Sequence, residues 1–223
     1  MKRPPLYTIF ELIAFRHWFA RLYRVEVRDR ARIPATGPVI LVANHESLLD
    51  PWLLGLVTRR PIRYMAKAEL WSYPVLRSLM EWFGTFPVSR GRGDRGAVGR
   101  AAELLAHGQV LGMFPQGTCL PYRDRPWLRG AARLALANGT TIVPVCIVGS
   151  ERALRPASFK IGLPRIKVIV CEPIPVAETR PTVAAAKELT ARAEQAIEEA
   201  RAPFGPPAHA WYPDGGGRDR MLS

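Results

Sequence analysis

Short apolar runs alternate with amphipathic stretches along most of this chain, and that alternation limits the folds it can adopt. The apolar runs are typical of buried strands, and the amphipathic stretches are typical of helices. Regular alternation of the two favours a sheet whose strands are joined by helices. We therefore predict a single-domain α/β sandwich with a largely parallel or mixed β-sheet flanked by helices. Strands are predicted at 25–27, 39–42, 62–65, 86–88, 110–114, 142–147 and 166–170, and helices at 51–57, 74–83, 96–107, 129–138 and 182–201.

Three regions are predicted along the 223 residues. Residues 1–24 are rich in Leu, Ile, Phe and Trp and are predicted to form an N-terminal helix in a membrane interface. Packing of that helix on the protein's own core is the open alternative. Residues 25–202 form the main domain, and the Pro- and Gly-rich residues 203–223 are predicted to be a flexible tail. The sequence has no clear signal peptide and no apolar run of the ~20 residues that span a bilayer.

The composition restricts the partners and ligands of the chain. A net charge of +13 suits nucleic acid, an anionic membrane or phosphorylated substrates. Since no dense Lys/Arg run and no nucleic-acid-binding motif is present, we predict no nucleic-acid partner. The three cysteines are scattered and lack C-x-x-C spacing. They indicate neither a disulfide framework nor a zinc site, and we predict no metal and no cofactor.

A histidine and an aspartate follow the second predicted strand closely. His45 lies in a predicted strand-to-helix loop, and Asp50-Pro51 looks like a helix start with Asp50 as N-cap. An aspartate that accepts the proton of one ring nitrogen fixes the tautomer and leaves the other nitrogen as a base. The pair therefore predicts general-base chemistry. The alternative is a plain helix cap beside a solvated histidine.

Four sequence blocks occur in an order that matches a known family. Together they resemble the glycerolipid acyltransferase family typified by lysophosphatidic acid acyltransferase, and the likeness extends over residues 25–171. The blocks are Asn44-His45 through Asp50, residues 84–90, Phe114-Pro115-Gln116-Gly117-Thr118 and residues 142–145, with residues 66–70 as a further matching segment.

The resemblance implies direct acyl transfer, with His45 as general base and Asp50 orienting it. No Gly-x-Ser-x-Gly elbow is present, so a covalent serine intermediate is not expected. Lys67, or backbone N–H groups near Gly117 and Thr118, are expected to stabilise the oxyanion. Arg90, helped by Arg129, is expected to bind the phosphate of the acceptor. The implied substrate-binding residues are Asn44, Lys67, Gly84, Arg90, Phe114, Pro115, Gln116, Gly117, Thr118 and Arg129.

Two positions depart from the family pattern. Gln116 stands where the family has Glu, and Cys119 stands where it has Arg. Glutamine can hydrogen-bond but cannot act as a base, and cysteine cannot bind a phosphate bidentately. Arg123, Arg125 and Arg129 follow closely and could supply the missing charge. These two departures affect the predicted identity of the acceptor more than the predicted type of reaction.

The leading functional prediction is acylation of lysophosphatidic acid to phosphatidic acid. The expected donor is acyl-CoA or acyl-carrier protein, and the acceptor is a lysophospholipid. The protein is expected on the cytoplasmic face of the membrane, as a peripheral or monotopic protein. Two alternatives stay open: another lysolipid or a glycolipid as acceptor, or a non-catalytic lipid-binding relative.

Overall fold

The protein is described here by a computed structural model that covers residues 15–82, 84–88, 94–117, 119, 126–154 and 161–206. Most of the predicted N-terminal interfacial helix and nearly all of the predicted tail lie outside these residues. Of the predicted substrate-binding residues, Arg90 and Thr118 also lie outside them.

The described residues form one seven-stranded sheet with the strand order β1-β7-β6-β2-β5-β3-β4. Strands β2 to β6 run parallel to one another, whereas β7 is antiparallel to β6 and pairs in parallel with β1. The carboxyl ends of β2, β3, β5 and β6 therefore meet at one edge of the sheet. The strands are β1 Glu26–Arg28, β2 Val39–Ala43, β3 Ile62–Lys67, β4 Phe86–Val88, β5 Val110–Met113, β6 Ile142–Val148 and β7 Lys167–Val170.

Helices cover both faces of this sheet. The helices are α1 Phe15–Leu22, α2 Asp50–Gly55, α3 Pro74–Trp82, α4 Arg95–Ala106, α5 Gly130–Asn138 and α6 Val183–Arg201. One apolar core lies between the sheet and α4, α5 and α6, and the other lies on the face covered by α1 and α2. Ile40 and Val42 of β2 enter the first core, and Leu41 enters the second. Burial on both sides explains why β2 is an unbroken apolar run. The predicted mixed α/β sheet flanked by helices is confirmed.

Four of the five predicted helix starts shift by one residue, and the helices begin at Asp50, Arg95, Gly130 and Val183. The N-cap of α2 is Leu49, so Asp50 is the first residue of the helix instead of its cap. The Asp50 carboxylate binds N–H groups of the preceding loop, and this explains why it does not cap α2. Arg129 is the N-cap of α5 and not part of it. Thr182 caps α6 by accepting a hydrogen bond from the Ala185 N–H group at 3.1 Å.

The described part of the N-terminal segment packs on the protein itself. Phe19 and Tyr23 are each 5% exposed, and their ring centroids lie 5.0 Å apart. Arg16 donates to the backbone carbonyls of Leu56 and, at 2.8 Å, Thr58. Trp18 remains 59% exposed. Among the described helices, none is long and apolar enough to cross a membrane. Contact of this segment with a membrane stays a prediction.

Candidate active site

His45 and Asp50 meet at the carboxyl edge of β2. The Nδ1 atom of His45 lies 2.9 Å from Oδ2 of Asp50. The same oxygen accepts the backbone N–H groups of Glu46 at 2.6 Å and Ser47 at 2.7 Å. Asp50 is fully buried. One carboxylate therefore folds the loop back on itself and brings the imidazole into contact, as the sequence predicts.

The imidazole of His45 contacts Phe114 with its ring face and Asp50 with its Nδ1 atom. Its ring stacks on Phe114, with centroids 4.3 Å apart and the planes inclined by 26°. The His45 side chain is 16% exposed. Because the carboxylate can only accept, Nδ1 is the protonated nitrogen and Nε2 keeps a lone pair for an incoming hydroxyl. Phe114, predicted to bind substrate, thus orients the base.

Asn44 extends the pairing between β2 and β6. Its Nδ2 donates to the carbonyl of Ile147 at 2.9 Å, and its Oδ1 accepts the Ile147 N–H group at 2.7 Å. The residue is 1% exposed. Since both polar atoms of the carboxamide bind the backbone of β6, the geometry favours a positioning role for Asn44 over the predicted contact with substrate.

Gln116 joins the loop after β5 to residues 44–49, the candidate catalytic loop between β2 and α2. Its Oε1 accepts the backbone N–H group of His45. A carboxylate and a carboxamide both offer an oxygen acceptor, so glutamine can do this as well as the glutamate of the family pattern. The position therefore requires an acceptor but not a base.

The backbone of Gly117 closes a tight turn. Its φ angle is +74°, and its N–H group donates to the carbonyl of Phe114 at 2.9 Å. Glycine suits this left-handed conformation because it has no Cβ. The Gly117 N–H group is thus used within the loop, and stabilisation of an oxyanion by Lys67 or by backbone N–H groups near Gly117 and Thr118 stays a prediction.

Lys67, Arg129 and Gly84, which are also predicted to bind substrate, differ in where they lie relative to the carboxyl edge of the sheet. Lys67 ends β3 at the same edge of the sheet as His45, but its side chain lies outside the described structure. Arg129 is exposed at the start of α5, and the neighbouring Leu128 N–H group donates to the Pro115 carbonyl at 2.8 Å. Gly84 precedes β4, with a φ angle of +69°, and so lies at the amino end of that strand. A direct role for Gly84 at the carboxyl edge is not supported.

Cys119 brings no charge to the site. It is 9% exposed, and burial together with the Asp50 and Glu46 carboxylates raises the pKa of its thiol to about 12. The thiol is therefore neutral where the family pattern has a guanidinium. Burial also raises the pKa of Cys146 to about 11 and that of Cys171 to about 12.

We expect all three thiols of the native protein to resist modification. Thiolate is the reactive form, and it is scarce near neutral pH when the pKa lies so high. An aromatic disulfide reagent should release almost no chromophore from the folded protein and the full amount after unfolding in guanidinium. Turnover should survive the treatment. Rapid reaction of one thiol with loss of turnover would contradict this account.

An ion pair that sequence reasoning missed lies directly behind the catalytic loop. Nη2 of Arg201, the last residue of α6, lies 3.4 Å from Oε1 of Glu46 and 3.3 Å from the carbonyl of Ile147. Both side chains are almost fully buried, with 5% of the Arg201 side chain and 6% of the Glu46 side chain exposed. One signal was available: Arg201 continues the buried stripe of α6 that contains Ala193 and Ile197. The end of α6 thus holds the residue next to His45.

Removal of this arginine should destabilise the protein strongly. Arg201→Met removes the Arg201 cation from the buried Glu46 carboxylate, at a cost of about 3 kcal/mol. For a chain of this size, Tm should fall by about 6–12 °C. Arg77→Met is the matched control, because its ion pair with Glu81 is 59% and 50% exposed and should contribute less than about 1 kcal/mol. An unchanged Tm for Arg201→Met would show that the pair does not stabilise the fold.

The acceptor role of Gln116 can be separated from any acid–base role. Gln116→Leu removes the acceptor of the partly buried His45 N–H group, at a cost of up to about 1–3 kcal/mol, and should reduce turnover about tenfold by loosening the loop. Gln116→Glu keeps an acceptor oxygen and should retain most of the activity. Steady-state rates of the two variants beside the unaltered protein provide the check. Full activity in Gln116→Leu would show that turnover does not depend on the hydrogen bond between Gln116 and His45.

Comparison with known proteins agrees with this arrangement. The model of the family described as Acyltransferase matches residues 24–148. A 1-acyl-sn-glycerol-3-phosphate acyltransferase of Bacillus subtilis is 29% identical over 151 residues, which is 67% of this chain and 73% of that protein. A lyso-ornithine lipid O-acyltransferase of Pseudomonas aeruginosa is 36% identical over 137 residues, 59% of this chain and 52% of that protein.

A solved structure has the same fold. The crystal structure of the 1-acyl-sn-glycerophosphate (LPA) acyltransferase from Thermotoga maritima superposes with a TM-score of 0.64. The match covers 86% of this chain and 81% of that chain, at 22% sequence identity. At this identity the likeness establishes the architecture, and the chemistry rests on the family match and the site.

Proposed function

Since the chain belongs to the Acyltransferase family, whose model spans residues 24–148, we propose that it acylates lysophosphatidic acid to give phosphatidic acid. The donor is a fatty acyl thioester, either acyl-CoA or acyl-carrier protein. The observation that carries the proposal is the contact of 2.9 Å between His45 and the buried Asp50 carboxylate. It leaves Nε2 of the imidazole as a base at the carboxyl edge of the sheet.

The proposed reaction proceeds in two steps without an acyl-enzyme. Nε2 of His45 takes the proton of the acceptor hydroxyl while the hydroxyl oxygen attacks the thioester carbon, and the carbonyl becomes a tetrahedral oxyanion. The oxyanion then collapses, the C–S bond breaks, and the leaving sulfur takes the proton from the imidazolium. Asp50 stabilises the imidazolium between these steps. A base of this kind contributes about 10²–10⁴ in rate.

The exposed apolar side chains beside the site suit a lipid acceptor. Leu48, in the loop between His45 and Asp50, is 41% exposed, and Tyr73, which follows β3, is 64% exposed. Both residues follow strands whose carboxyl ends form the edge that carries His45. We propose that this edge faces the cytoplasmic surface of a membrane as a peripheral or monotopic contact, where lysolipid would enter without crossing water.

A second acceptor is favoured by a specific observation. The buried, neutral Cys119 replaces the arginine that the family pattern provides for a phosphate. The relative from Pseudomonas aeruginosa, 36% identical, is named for a lyso-ornithine lipid. An acceptor whose head group is an amino acid does not need that arginine. Acylation of such a lysolipid is the second candidate, with Arg90 and Arg129 remaining the proposed phosphate ligands in the first.

Competition between the two acceptors tests the proposal. Equal amounts of lysophosphatidic acid and lyso-ornithine lipid, in mixed micelles with palmitoyl-CoA, would be given to the full chain and the products identified by mass spectrometry. We expect phosphatidic acid to predominate, and to disappear with His45→Ala. Predominant acylation of lyso-ornithine lipid would establish the second candidate. Absence of any acylated lipid with palmitoyl-CoA or palmitoyl-carrier protein would favour a non-catalytic lipid-binding protein.

A further inference from the structure

A long groove runs along the outer surface of α4, α5 and α6, with a volume of about 1270 Å³. Small residues widen it, because Ala102, Gly130, Ala137 and Ala191 leave space between the three helices. Of its lining residues, Arg129 is also the proposed ligand of the acceptor phosphate, and the others have no role in the proposed acyl transfer.

One end of the groove adjoins the loop after β5, which in turn contacts the loop that carries His45. Leu128, which lines the groove, donates its N–H group to the carbonyl of Pro115 at 2.8 Å. Pro115 precedes Gln116, whose side chain holds the backbone of His45. A ligand lying in the groove can therefore reach the active-site edge by way of this loop.

The other end of the groove lies at the far side of α5. The Thr179 N–H group donates to the carbonyl of Leu136 at 2.8 Å and so places the chain before α6 beside the end of α5. Arg180 and Lys187 line the groove there. From Arg129 to Ala137 the helix rises about 12 Å at its usual pitch. The groove is thus elongated. It extends from Leu128, beside the loop after β5, to the basic residues Arg180 and Lys187.

The lining of the groove is strongly basic. Arg129, Arg133, Arg180 and Lys187 contribute four cations, and Glu194 is the carboxylate among the lining residues. All four basic residues are exposed to solvent, so an incoming anion can reach them. Lining charge of this sign favours an elongated ligand that carries several negative charges at one end.

We propose that this groove binds the acyl-CoA donor, an inference that rests on the proposed acyl transfer. The pantetheine arm lies along the small residues between the helices, and the nucleotide phosphates bind Arg133, Arg180 and Lys187. The thioester then reaches the Pro115 end. A groove between three helices can hold an extended chain along its length, whereas a carrier protein or a bilayer presents a broad surface. Acyl-CoA is therefore the occupant that fits both the shape and the charge.

A truncated donor isolates the contribution of the phosphates. Palmitoyl-pantetheine has the same thioester and arm as palmitoyl-CoA but lacks the nucleotide and its phosphates. We expect the ratio of kcat/KM for palmitoyl-CoA to that for palmitoyl-pantetheine to fall about tenfold in the double variant Arg133→Glu/Lys187→Glu. The control is Arg192→Glu/Arg59→Glu, which makes the same charge change at exposed residues outside the groove and should keep the ratio.

Calorimetric binding of free CoA separates this inference from the proposed function. CoA bound by the unaltered chain and the control, but about tenfold more weakly by Arg133→Glu/Lys187→Glu, supports the groove even if no lipid is acylated. Equal CoA affinity in all three proteins would overturn it. Two other results for the double variant would also overturn it. Loss of turnover with palmitoyl-carrier protein alone would indicate that the groove binds a protein, and loss of binding to phosphatidylglycerol vesicles alone would indicate that it binds a membrane.

Discussion

Replacement of His45 by alanine should reduce kcat about 10²–10⁴-fold while the protein keeps its fold. The imidazole is the proposed base, with Asp50 at 2.9 Å and the Phe114 ring centroid at 4.3 Å, and alanine cannot take up the proton of the acceptor hydroxyl. The measurement is thiol release from palmitoyl-CoA with lysophosphatidic acid in detergent micelles. Near-ultraviolet circular dichroism and Tm of the variant check that the fold is retained.

His107→Ala is the matched control for this variant. His107 is exposed at the end of α4, where its Nδ1 lies 2.7 Å from the carbonyl of Glu103 and makes no link to the catalytic loop. Its loss should leave turnover unchanged. If His45→Ala retained the rate of His107→Ala, the base would have to be sought elsewhere.

Asp50→Asn should reduce kcat with little change in KM, by no more than the loss of about 10²–10⁴-fold expected for His45→Ala. Asparagine has nearly the same shape, and its oxygen can still accept the N–H groups of Glu46 and Ser47. It carries no charge to stabilise the imidazolium. Because Nδ1 of His45 contacts the same oxygen position as these N–H groups, the NH₂ group takes the position of Oδ1 and the loss of charge is the expected cause of the effect. The measurement is the same assay, with kcat and KM determined separately for each substrate.

A second carboxylate provides the control for the amide substitution. Asp94 accepts the Ala97 N–H group at 2.9 Å at the start of α4, and asparagine caps a helix about as well as aspartate. Asp94→Asn should keep both Tm and turnover. If Asp50→Asn lowered Tm but not kcat, Asp50 would shape the loop without taking part in the chemistry.

The sequence predicts the layout of the sheet because burial leaves a regular pattern. Strand β2 is apolar at every position since both of its faces lie in a core, and β4 is found at the predicted residues 86–88. The contact between His45 and Asp50 was also predictable, because a loop closing onto a helix brings residues of such short separation together. These features depend on local spacing and on which face of an element is apolar.

Contacts between distant segments left no comparable pattern. Asn44 binds Ile147 across 103 residues, and Glu46 meets Arg201 across 155 residues. The sequence does not show whether a polar residue beside a motif binds substrate or backbone. For Asn44, the pairing of β2 with β6 places the carboxamide against the backbone of Ile147. The acceptor role of Gln116 depends in the same way on the approach of two loops that the sequence does not specify.

We propose that this chain moves an acyl group from a thioester to a lysolipid hydroxyl with His45 as the base. The most direct measurement follows CoA release and lipid acylation together in one reaction of palmitoyl-CoA, lysophosphatidic acid and the full chain. The account predicts one phosphatidic acid for each CoA released, neither without the acceptor, and neither with His45→Ala. Release of CoA without acylated lipid, or equal products from His45→Ala, would contradict it.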